Sequence, residues 1–226
     1  MSDPHLSFFS RWARFYESTP LLARILRGQQ DAAVERLNPA IGERVLDLGC
    51  GPGRGLTAIS RAGAGVIGLD YSADMLHGAQ EISPVVRASA LALPFSAGSF
   101  DAILCTNSFH HYAEPLSTLR EIRRVLKPGG RIALVDPNLD HPLARLVIYG
   151  GEAMLFGMGV HLHSPAEWRT LLEEAGFSRS EVSPLLPPAL RSLLSQPLVE
   201  GQLQRRPELK RLADPLAVSL CAIAWA

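Results

Sequence analysis

Residues 45–55 have the sequence VLDLGCGPGRG. The apolar residues around Asp47 predict a short buried strand, and the four alternating glycines predict a tight turn that passes very close to a ligand. A dinucleotide fingerprint would need a further glycine at position 54 or 56, where the chain has Arg54 and Leu56. We therefore expect a nucleotide-like cofactor other than NAD at this turn.

Two acids are predicted at the ends of neighbouring strands. Asp47 would be costly to bury in an apolar strand without a partner, so we expect it to meet a donor such as a ligand ammonium or a backbone N–H. A second apolar strand ends in an acid at Gly68-Leu69-Asp70-Tyr71. Because Asp70 would lie at the tip of that strand, it is suited to bind the two hydroxyls of a ribose.

Several motifs resemble, in their order, those of class I S-adenosylmethionine (SAM) dependent methyltransferases. Residues 47–53, DLGCGPG, resemble motif I of that family, and residues 68–72, GLDYS, resemble its ribose-binding segment. The further matches are ADML at 73–76, LPF at 93–95, SFD at 99–101, HH at 110–111 and LKPGG at 126–130. Together they cover about residues 43–136, and the resemblance is to the subgroup that includes the ubiquinone and menaquinone methyltransferases.

This resemblance implies an α/β fold: a Rossmann-like, seven-stranded, mostly parallel sheet with helices on both faces and an antiparallel C-terminal hairpin. It implies an enzyme that uses SAM as its cofactor to methylate the oxygen, nitrogen or carbon of a small, partly apolar acceptor, without a metal. The residues that it assigns to the cofactor are Asp47, Gly49, Cys50, Gly51, Asp70, Tyr71, Met75, Ser89, Ala90, Leu91, Thr106 and Asn107. Where the family often has an acid at the adenine site, this chain has Ser89, which can accept from the adenine amino group without charge.

The periodicity along the chain predicts alternating strands and helices. Strands are expected at 44–48, 65–69, 85–88, 101–106, 131–136, 177–183 and 216–225, and helices at 54–62, 73–80, 115–126 and 164–176. The last helix should begin with a capping box between Ser164 and Glu167. Such alternation predicts a parallel sheet with helices on both faces, whose ligands bind beyond the carboxyl ends of the strands.

We interpret residues 1–226 as a single methyltransferase domain. Its parts are a helical cap at 1–40, the SAM-binding core at 41–136, a lid at 137–163, and the C-terminal half of the sheet at 164–226 with an insertion at 184–215. In the cap, Trp12, Phe15 and Tyr16 either pack on the core or help to cover the cofactor. The apolar residues 142–160 favour a lid over a hydrophobic pocket, with core or dimer contact as the alternative.

The composition disfavours several classes of partner and location. Lys plus Arg equals Asp plus Glu at 22 each, so no overall charge draws the protein to nucleic acid or to an anionic membrane. Cys50, Cys105 and Cys221 lack the spacing of a disulfide framework or metal site, which fits a reducing cytoplasm. We expect no signal peptide and no membrane span. The insertion is interpreted as a second cap element or a dimer contact, so a homodimer is one interpretation.

The two adjacent histidines are the candidate catalytic residues. Methyl transfer from a sulfonium is a one-step displacement, so alignment supplies most of the barrier reduction. A phenol or amine acceptor still has to lose a proton, for which a positioned histidine is suited. His110 and His111 follow the fourth predicted strand, and we favour His111 slightly as the base. The alternative is that both histidines only shape the loop.

Other functions remain as alternatives at this stage. A DNA amino-methylating enzyme would show an Asn/Asp-Pro-Pro-aromatic run, which residues 107–110 lack. A non-catalytic SAM-binding or interaction module and an RNA methyltransferase are both compatible with the motifs. A metal enzyme could use ligands whose spacing matches no compact motif: Asp136, Asp140, His141, His161 and His163.

Overall fold

A computed structural model describes residues 20–153, 159–185 and 219–226. The strands are β1 (Arg44–Leu48), β2 (Gly65–Asp70), β3 (Val85–Arg87), β4 (Phe100–Thr106), β5 (Leu126–Pro137), β6 (Arg179–Leu185) and β7 (Ser219–Trp225). The α-helices are α1 (Pro20–Leu37), α2 (Arg54–Arg61), α3 (Ala73–Ala79), α4 (Pro115–Val125), α5 (Pro142–Arg145) and α6 (Pro165–Glu174). A 3-10 helix covers Phe109–His111 and a π-helix covers Leu146–Ala153.

The seven strands form one sheet in the order β3-β2-β1-β4-β5-β7-β6. The strands β1 to β5 pair in parallel, whereas β7 is antiparallel to both β5 and β6. This confirms the predicted fold class, including the antiparallel C-terminal pair. Because β1 and β4 are neighbours at the centre, the carboxyl ends of β1, β2, β4 and β5 meet at one edge of the sheet.

Local sequence signals account for the helix boundaries. The predicted capping box of α6 is present: Ser164 Oγ accepts from the Glu167 amide, and Glu167 Oε2 accepts from the Ser164 amide. Gly176 follows the helix with a φ of 87°, a left-handed conformation that glycine adopts at little cost. Pro115 occupies the first turn of α4, where its missing N–H costs no hydrogen bond.

Apolar residues fill both faces of the sheet. On one face Phe100 and Ile103 pack with Leu119 and Ile122 of α4 and with Trp168 of α6, all almost fully buried. The apolar residues of the other face come from β1, β4 and β5 and from α1 and α2: Leu37, Val45, Leu56, Ile59, Leu104 and Val135. Helices therefore cover both faces, as the alternating pattern predicts.

Arg131 fixes the C-terminal end of α1 to the sheet. Its guanidinium donates to the carbonyl oxygens of Leu37 and Asn38, at 2.6 and 2.7 Å, and to both carboxylate oxygens of Glu43. The hydrogen bond from Arg131 lowers the pKa of Glu43, which favours the ionised carboxylate. These contacts hold α1 in position along the sheet, and the middle of the helix reaches the carboxyl end of β4 and the first residue of β7.

The remaining predictions on the flanking segments are settled only in part. Within the expected helical cap at 1–40 the structure has α1, whereas Trp12, Phe15 and Tyr16 lie outside the described residues. Residues 142–153 form α5 and the π-helix. In the described ranges no helix is both long enough and apolar enough to cross a bilayer. Nearly all of the predicted insertion at 184–215 also lies outside the described residues, apart from Pro184 and Leu185, which are part of β6.

Candidate active site

The glycine-rich turn after β1 is tied to the end of β2. The Gly49 amide donates to the Leu69 carbonyl oxygen at 2.7 Å. One carboxylate oxygen of Asp70 accepts from the Gly51 amide and the other from the Ser72 amide, both at 2.9 Å. Burial raises the pKa of Asp70, although these amides oppose the shift. Each oxygen keeps a further lone pair, so the Asp70 carboxylate can also accept from ribose hydroxyls.

Asp47 is a buried carboxylate near the carboxyl end of β1, with 1% of its surface exposed. Among the described residues neither of its oxygens has a hydrogen-bond partner. Burial, and then the charge of Asp70, raises the pKa of Asp47 to about 7, while the nearby Leu56 amide opposes the shift. An uncompensated buried acid is costly, so Asp47 is suited to accept from a donor group of a ligand. SAM fits, because it carries an ammonium group for Asp47 and ribose hydroxyls for Asp70.

The loop after β4 lies directly on the glycine-rich turn. Gly49 has a φ of 71°, and a Cβ at this position would overlap with the Ser108 side chain. Ser108 Oγ is 2.9 Å from the Tyr112 hydroxyl oxygen. Burial raises the pKa of Tyr112 well above its usual value, so the hydroxyl stays protonated. The absent side chain at Gly49 therefore allows both the left-handed turn and this close contact.

The loop after β3 forms the side of the site where adenine is expected. The loop begins at Ala88, whose amide donates to the Asp70 carbonyl oxygen at 3.2 Å. Ser89 Oγ accepts from the Leu91 amide at 3.2 Å, Ala90 is buried, and the Leu91 side chain is exposed. The Ser89 hydroxyl is half-buried and retains acceptor capacity for an amino group.

Three other predicted cofactor residues lie around the same turn. Met75 is buried, with its Sδ 3.9 Å from the position that a Cβ on Gly51 would have, whereas Tyr71 is exposed. Cys50 is buried with its sulfur packed against Gly68 of β2. Burial raises the pKa of the Cys50 thiol far above its usual range, so it stays protonated. Only the backbone of Cys50 is therefore suited to contact a cofactor.

Polar residues of α1, which the sequence did not indicate, reach the ends of β4 and β7. Gln29 accepts from Asn107 Nδ2 at 2.9 Å and donates to Ser219 Oγ at 2.8 Å. Gln30 Nε2 donates to Thr106 Oγ1 at 3.3 Å. Asn107 has a φ of 49°, so the chain turns sharply at the end of β4. The only sequence signal was a pair of glutamines in an otherwise amphipathic helix.

The two candidate histidines differ in their surroundings. His110 is 2% exposed, and its Nδ1 lies 2.8 Å from Oδ1 of Asp136, which is equally buried at the end of β5. His111 is half-buried, with its ring centroid 4.0 Å from that of His110. The structure thus gives a carboxylate partner to His110, and the preference for His111 as the base stays a prediction.

The other titratable candidates do not form a metal site. Among the described residues no group of three or more His, Cys, Asp or Glu side chains could hold a metal ion. His163 packs against Trp168 with 5.1 Å between ring centroids, and burial lowers the pKa of His163. Cys105 is buried within β4 and packs in the core, and burial raises the pKa of its thiol well above the usual value.

Comparison with known proteins identifies relatives of the chain. Residues 46–134 match the methyltransferase domain family. A ubiquinone biosynthesis O-methyltransferase of Xanthomonas axonopodis is 35% identical over 166 residues, covering 67% of this chain and 69% of that protein. A demethylmenaquinone methyltransferase of Corynebacterium kroppenstedtii is 39% identical over 106 residues, 46% of each protein. The chain thus spans about half the length of the menaquinone relative and about two thirds of the ubiquinone relative.

Solved structures share the fold at lower sequence identity. A SAM-dependent methyltransferase of Thermotoga maritima has a TM-score of 0.72 and 22% identity, and the match covers 98% of both chains. A Haloferax volcanii methyltransferase, in complex with the Trm112 activator, has a TM-score of 0.74 and 23% identity, covering 96% of this chain and 97% of that chain. Haemonchus contortus phosphoethanolamine N-methyltransferase 2, in complex with SAM, has a TM-score of 0.65 and 22% identity. The match covers 87% of this chain and 52% of that chain. These matches support the fold assignment alone.

Proposed function

Because the chain belongs to the family of SAM-dependent methyltransferases, we propose that it transfers a methyl group from SAM to a small, partly apolar acceptor. The observation that supports this most strongly is a pair of acids, the buried Asp47 and the half-buried Asp70, on adjacent strands. Both are held beside a glycine-rich turn whose backbone can closely approach a ligand. A buried acid without a partner costs folding free energy, so a ligand-binding role explains Asp47 better than a purely structural one.

The residues of the site would hold the cofactor through distinct groups. Asp70 would accept from the ribose hydroxyls, Asp47 would face the ammonium group, and Ser89 would accept from the adenine amino group. When bound, SAM supplies an electrophilic methyl group on a sulfonium, whose sulfur leaves as a neutral thioether. Because the leaving group needs no proton, the main tasks of the chain are to align the acceptor and to exclude water.

The acceptor is proposed to bind beside the segment that follows β5. A shallow, mainly apolar groove is lined there by Pro142, Leu146 and Tyr149, and the side chains of Leu146 and Tyr149 are exposed. The π-helix that carries Leu146 and Tyr149 is a rare conformation, often found at functional sites. The names of the relatives refer to ubiquinone and menaquinone, which supports an apolar ring compound. A balanced net charge disfavours a polyanionic acceptor.

The protein is further proposed to act in the cytoplasm as a single methyltransferase domain, with residues 137–163 as its lid. Three thiols, those of Cys50, Cys105 and Cys221, are free and buried, which suits a reducing compartment. Limited proteolysis with and without SAM would test the lid, because residues 137–163 should be cleaved more slowly when the cofactor is bound. Equal cleavage rates would count against a lid.

A transfer assay with methyl-labelled SAM tests the proposed function. The purified protein is offered a panel of phenols and hydroquinones, a small-molecule extract, tRNA and DNA in parallel. We expect the label in small apolar compounds. Label in nucleic acid alone would overturn the proposed acceptor class, and SAM binding without any labelled product would favour a non-catalytic module. A heat-denatured sample controls for spontaneous methylation.

A further inference from the structure

The loop that follows β3 is fixed to α4 by two side chains. The Leu93 amide donates to Glu121 Oε2 at 3.0 Å. The guanidinium of Arg124 donates to the carbonyl oxygens of Leu93 and Phe95, at 3.0 and 2.8 Å. These partners lie 28 to 31 residues apart in sequence. Three backbone groups of one loop are therefore held by neighbouring turns of one helix.

The two side chains also hold each other. Arg124 Nε donates to Glu121 Oε1 at 2.7 Å, and Arg124 Nη2 donates to Glu121 Oε2 at 2.9 Å. The hydrogen bond from Arg124 lowers the pKa of Glu121, which favours the ionised carboxylate. Because the guanidinium is planar and its donors form a rigid fork, binding the carboxylate and both carbonyl oxygens fixes its orientation.

The other end of the loop is fixed to β2. The Ala88 amide donates to the carbonyl oxygen of Asp70, the residue expected to bind the ribose. Between the two fixed ends lie Ser89, Ala90 and Leu91, which are expected at the adenine. Residues 88–99, all of which the structure describes, form no regular helix or strand. The course of the backbone at the adenine side therefore depends on the contacts at both ends of the loop.

The ion pair lies at the surface, where it adds little to overall stability. The side chains of Arg124 and Glu121 are 37% and 24% exposed, and an exposed ion pair contributes little to the free energy of unfolding. Apolar contacts keep the loop on the core, because Leu93 is buried and the Phe95 ring packs edge-to-face on Phe100. The polar contacts add a fixed backbone conformation to this anchoring.

We propose that Glu121 and Arg124 are positioning residues that hold the loop 88–95 in the conformation that recognises adenine, and that this pair sets the selectivity of the site for the base of SAM. The inference rests on the proposed function and concerns the same site. A loop that already has its bound conformation binds a ligand without the cost of being ordered. A loop fixed at only one end would bear that cost and would adapt to other bases.

The selectivity follows from the hydrogen-bond pattern of the base. Adenine presents a donor at its amino group and an acceptor at the adjacent ring nitrogen, whereas hypoxanthine presents an acceptor and a donor at the same two places. Polar groups that are fixed for the first pattern are left unpaired by the second, so a rigid site rejects hypoxanthine. Polar groups that can move adapt to either base.

Titration calorimetry with S-adenosylhomocysteine and with its inosine analogue tests the proposal. Wild type should prefer the adenosine compound by about tenfold or more, and Arg124→Met should lower this preference to less than about threefold. Arg120→Met is the matched control, because Arg120 is an exposed arginine of the same helix, and it should keep the wild-type preference. Arg124→Lys keeps the charge but not the planar fork and should behave like Arg124→Met.

The ratio of the two affinities separates positioning from general damage. A purely structural loss would weaken both ligands equally, so an unchanged ratio in both Arg124 variants would overturn the proposal. Amide exchange of the free protein gives a second measurement: in Arg124→Met the Leu93 amide should exchange faster while the Ala88 amide is unchanged. Equal protection of the Leu93 amide in wild type and variant would also overturn it. Wild type that binds no S-adenosylhomocysteine would instead contradict the proposed function, so the two failures are distinguishable.

Discussion

The first turn of α2 packs the backbone of Gly55 against the buried carboxylate of Asp47, where a Cβ on residue 55 would overlap with Asp47 Oδ2. Gly55 has no positive φ, so the requirement for glycine at this position is spatial rather than conformational. The start of the helix can therefore approach the acid of β1 more closely than any other residue type would permit. This contact helps to enclose Asp47, and burial is the main cause of its raised pKa.

Gly55→Ala should displace the Asp47 carboxylate or the start of α2. We expect a loss of about 1–3 kcal/mol in the free energy of unfolding, as is common when a methyl group is forced into a packed site, together with weaker SAM binding. Chemical denaturation and calorimetry measure the two effects. Gly78→Ala is the control, because that helical glycine has room for a Cβ and should be neutral or stabilising. Similar behaviour of the two variants would refute the packing argument.

The raised pKa of Asp47 predicts how stability depends on pH. Its folded pKa is about 7 against a usual value of 3.8, so the folded state holds a proton that the unfolded state has lost between these two values. Wild type should therefore lose stability relative to Asp47→Asn as pH rises from about 4 to about 7, by on the order of 1–4 kcal/mol, and the difference should then level off.

Urea denaturation of both proteins across this pH range gives the measurement. Asp47→Asn should also bind SAM more weakly, because it removes the charge that the ammonium group would meet. A stability difference that is constant with pH would mean that Asp47 is ionised throughout and has a compensating partner. Asp101→Asn provides a comparison with the opposite pH dependence. Hydrogen bonds and the nearby Lys127 lower the pKa of Asp101, so wild type should gain stability relative to this variant as pH rises.

Gln29 should help to fix α1 to the end of β4 and to the first residue of β7. Gln29→Ala removes hydrogen bonds to Asn107 and Ser219, and we expect it to cost about 1–3 kcal/mol of stability. Arg27→Ala, at an exposed position of the same helix, should change stability by less than about 0.5 kcal/mol. Amide exchange in α1 should accelerate in Gln29→Ala alone, and equal exchange in both variants would contradict a bridging role.

The relative importance of His110 and His111 for catalysis can be measured from the turnover of their alanine variants. His110→Ala should lower turnover by about 10² to 10⁴-fold while SAM affinity stays nearly unchanged. His111→Ala should cause a smaller loss, because the Asp136 carboxylate contacts and orients the ring of His110. A larger loss in His111→Ala would return the role of base to the residue that the sequence favours.

Much of the fold could be predicted because its signals are local. The apolar runs that form β1, β2 and β4 are short and interrupted by glycine or acid, and the capping box of Ser164 marks the start of α6 without reference to other elements. The candidate cofactor site could be located in the sequence for the same reason. Its main residues, Asp47, Gly49 and Asp70, lie at the ends of consecutive strands, which a parallel sheet necessarily brings together.

The parts that were missed depend on tertiary contacts. Nothing near His110 in sequence specifies Asp136. Their pairing follows from the register of β4 against β5 and from the 3-10 helix, which lies between β4 and α4 and contains His110. The glutamines of α1 likewise acquire a role only when Arg131 fixes the end of that helix to the sheet. Side chains that meet across long sequence separations leave no periodic signal.

We expect SAM to bind at the strand ends where Asp70 meets the glycine-rich turn. Titration calorimetry of SAM against wild type, Asp70→Ala and Asp74→Ala tests it most directly, because Asp74 is an exposed carboxylate only four residues away. We expect Asp70→Ala to weaken binding by about 1–3 kcal/mol and Asp74→Ala to leave it nearly unchanged. Equal affinity in all three proteins, or no binding to wild type, would contradict the account.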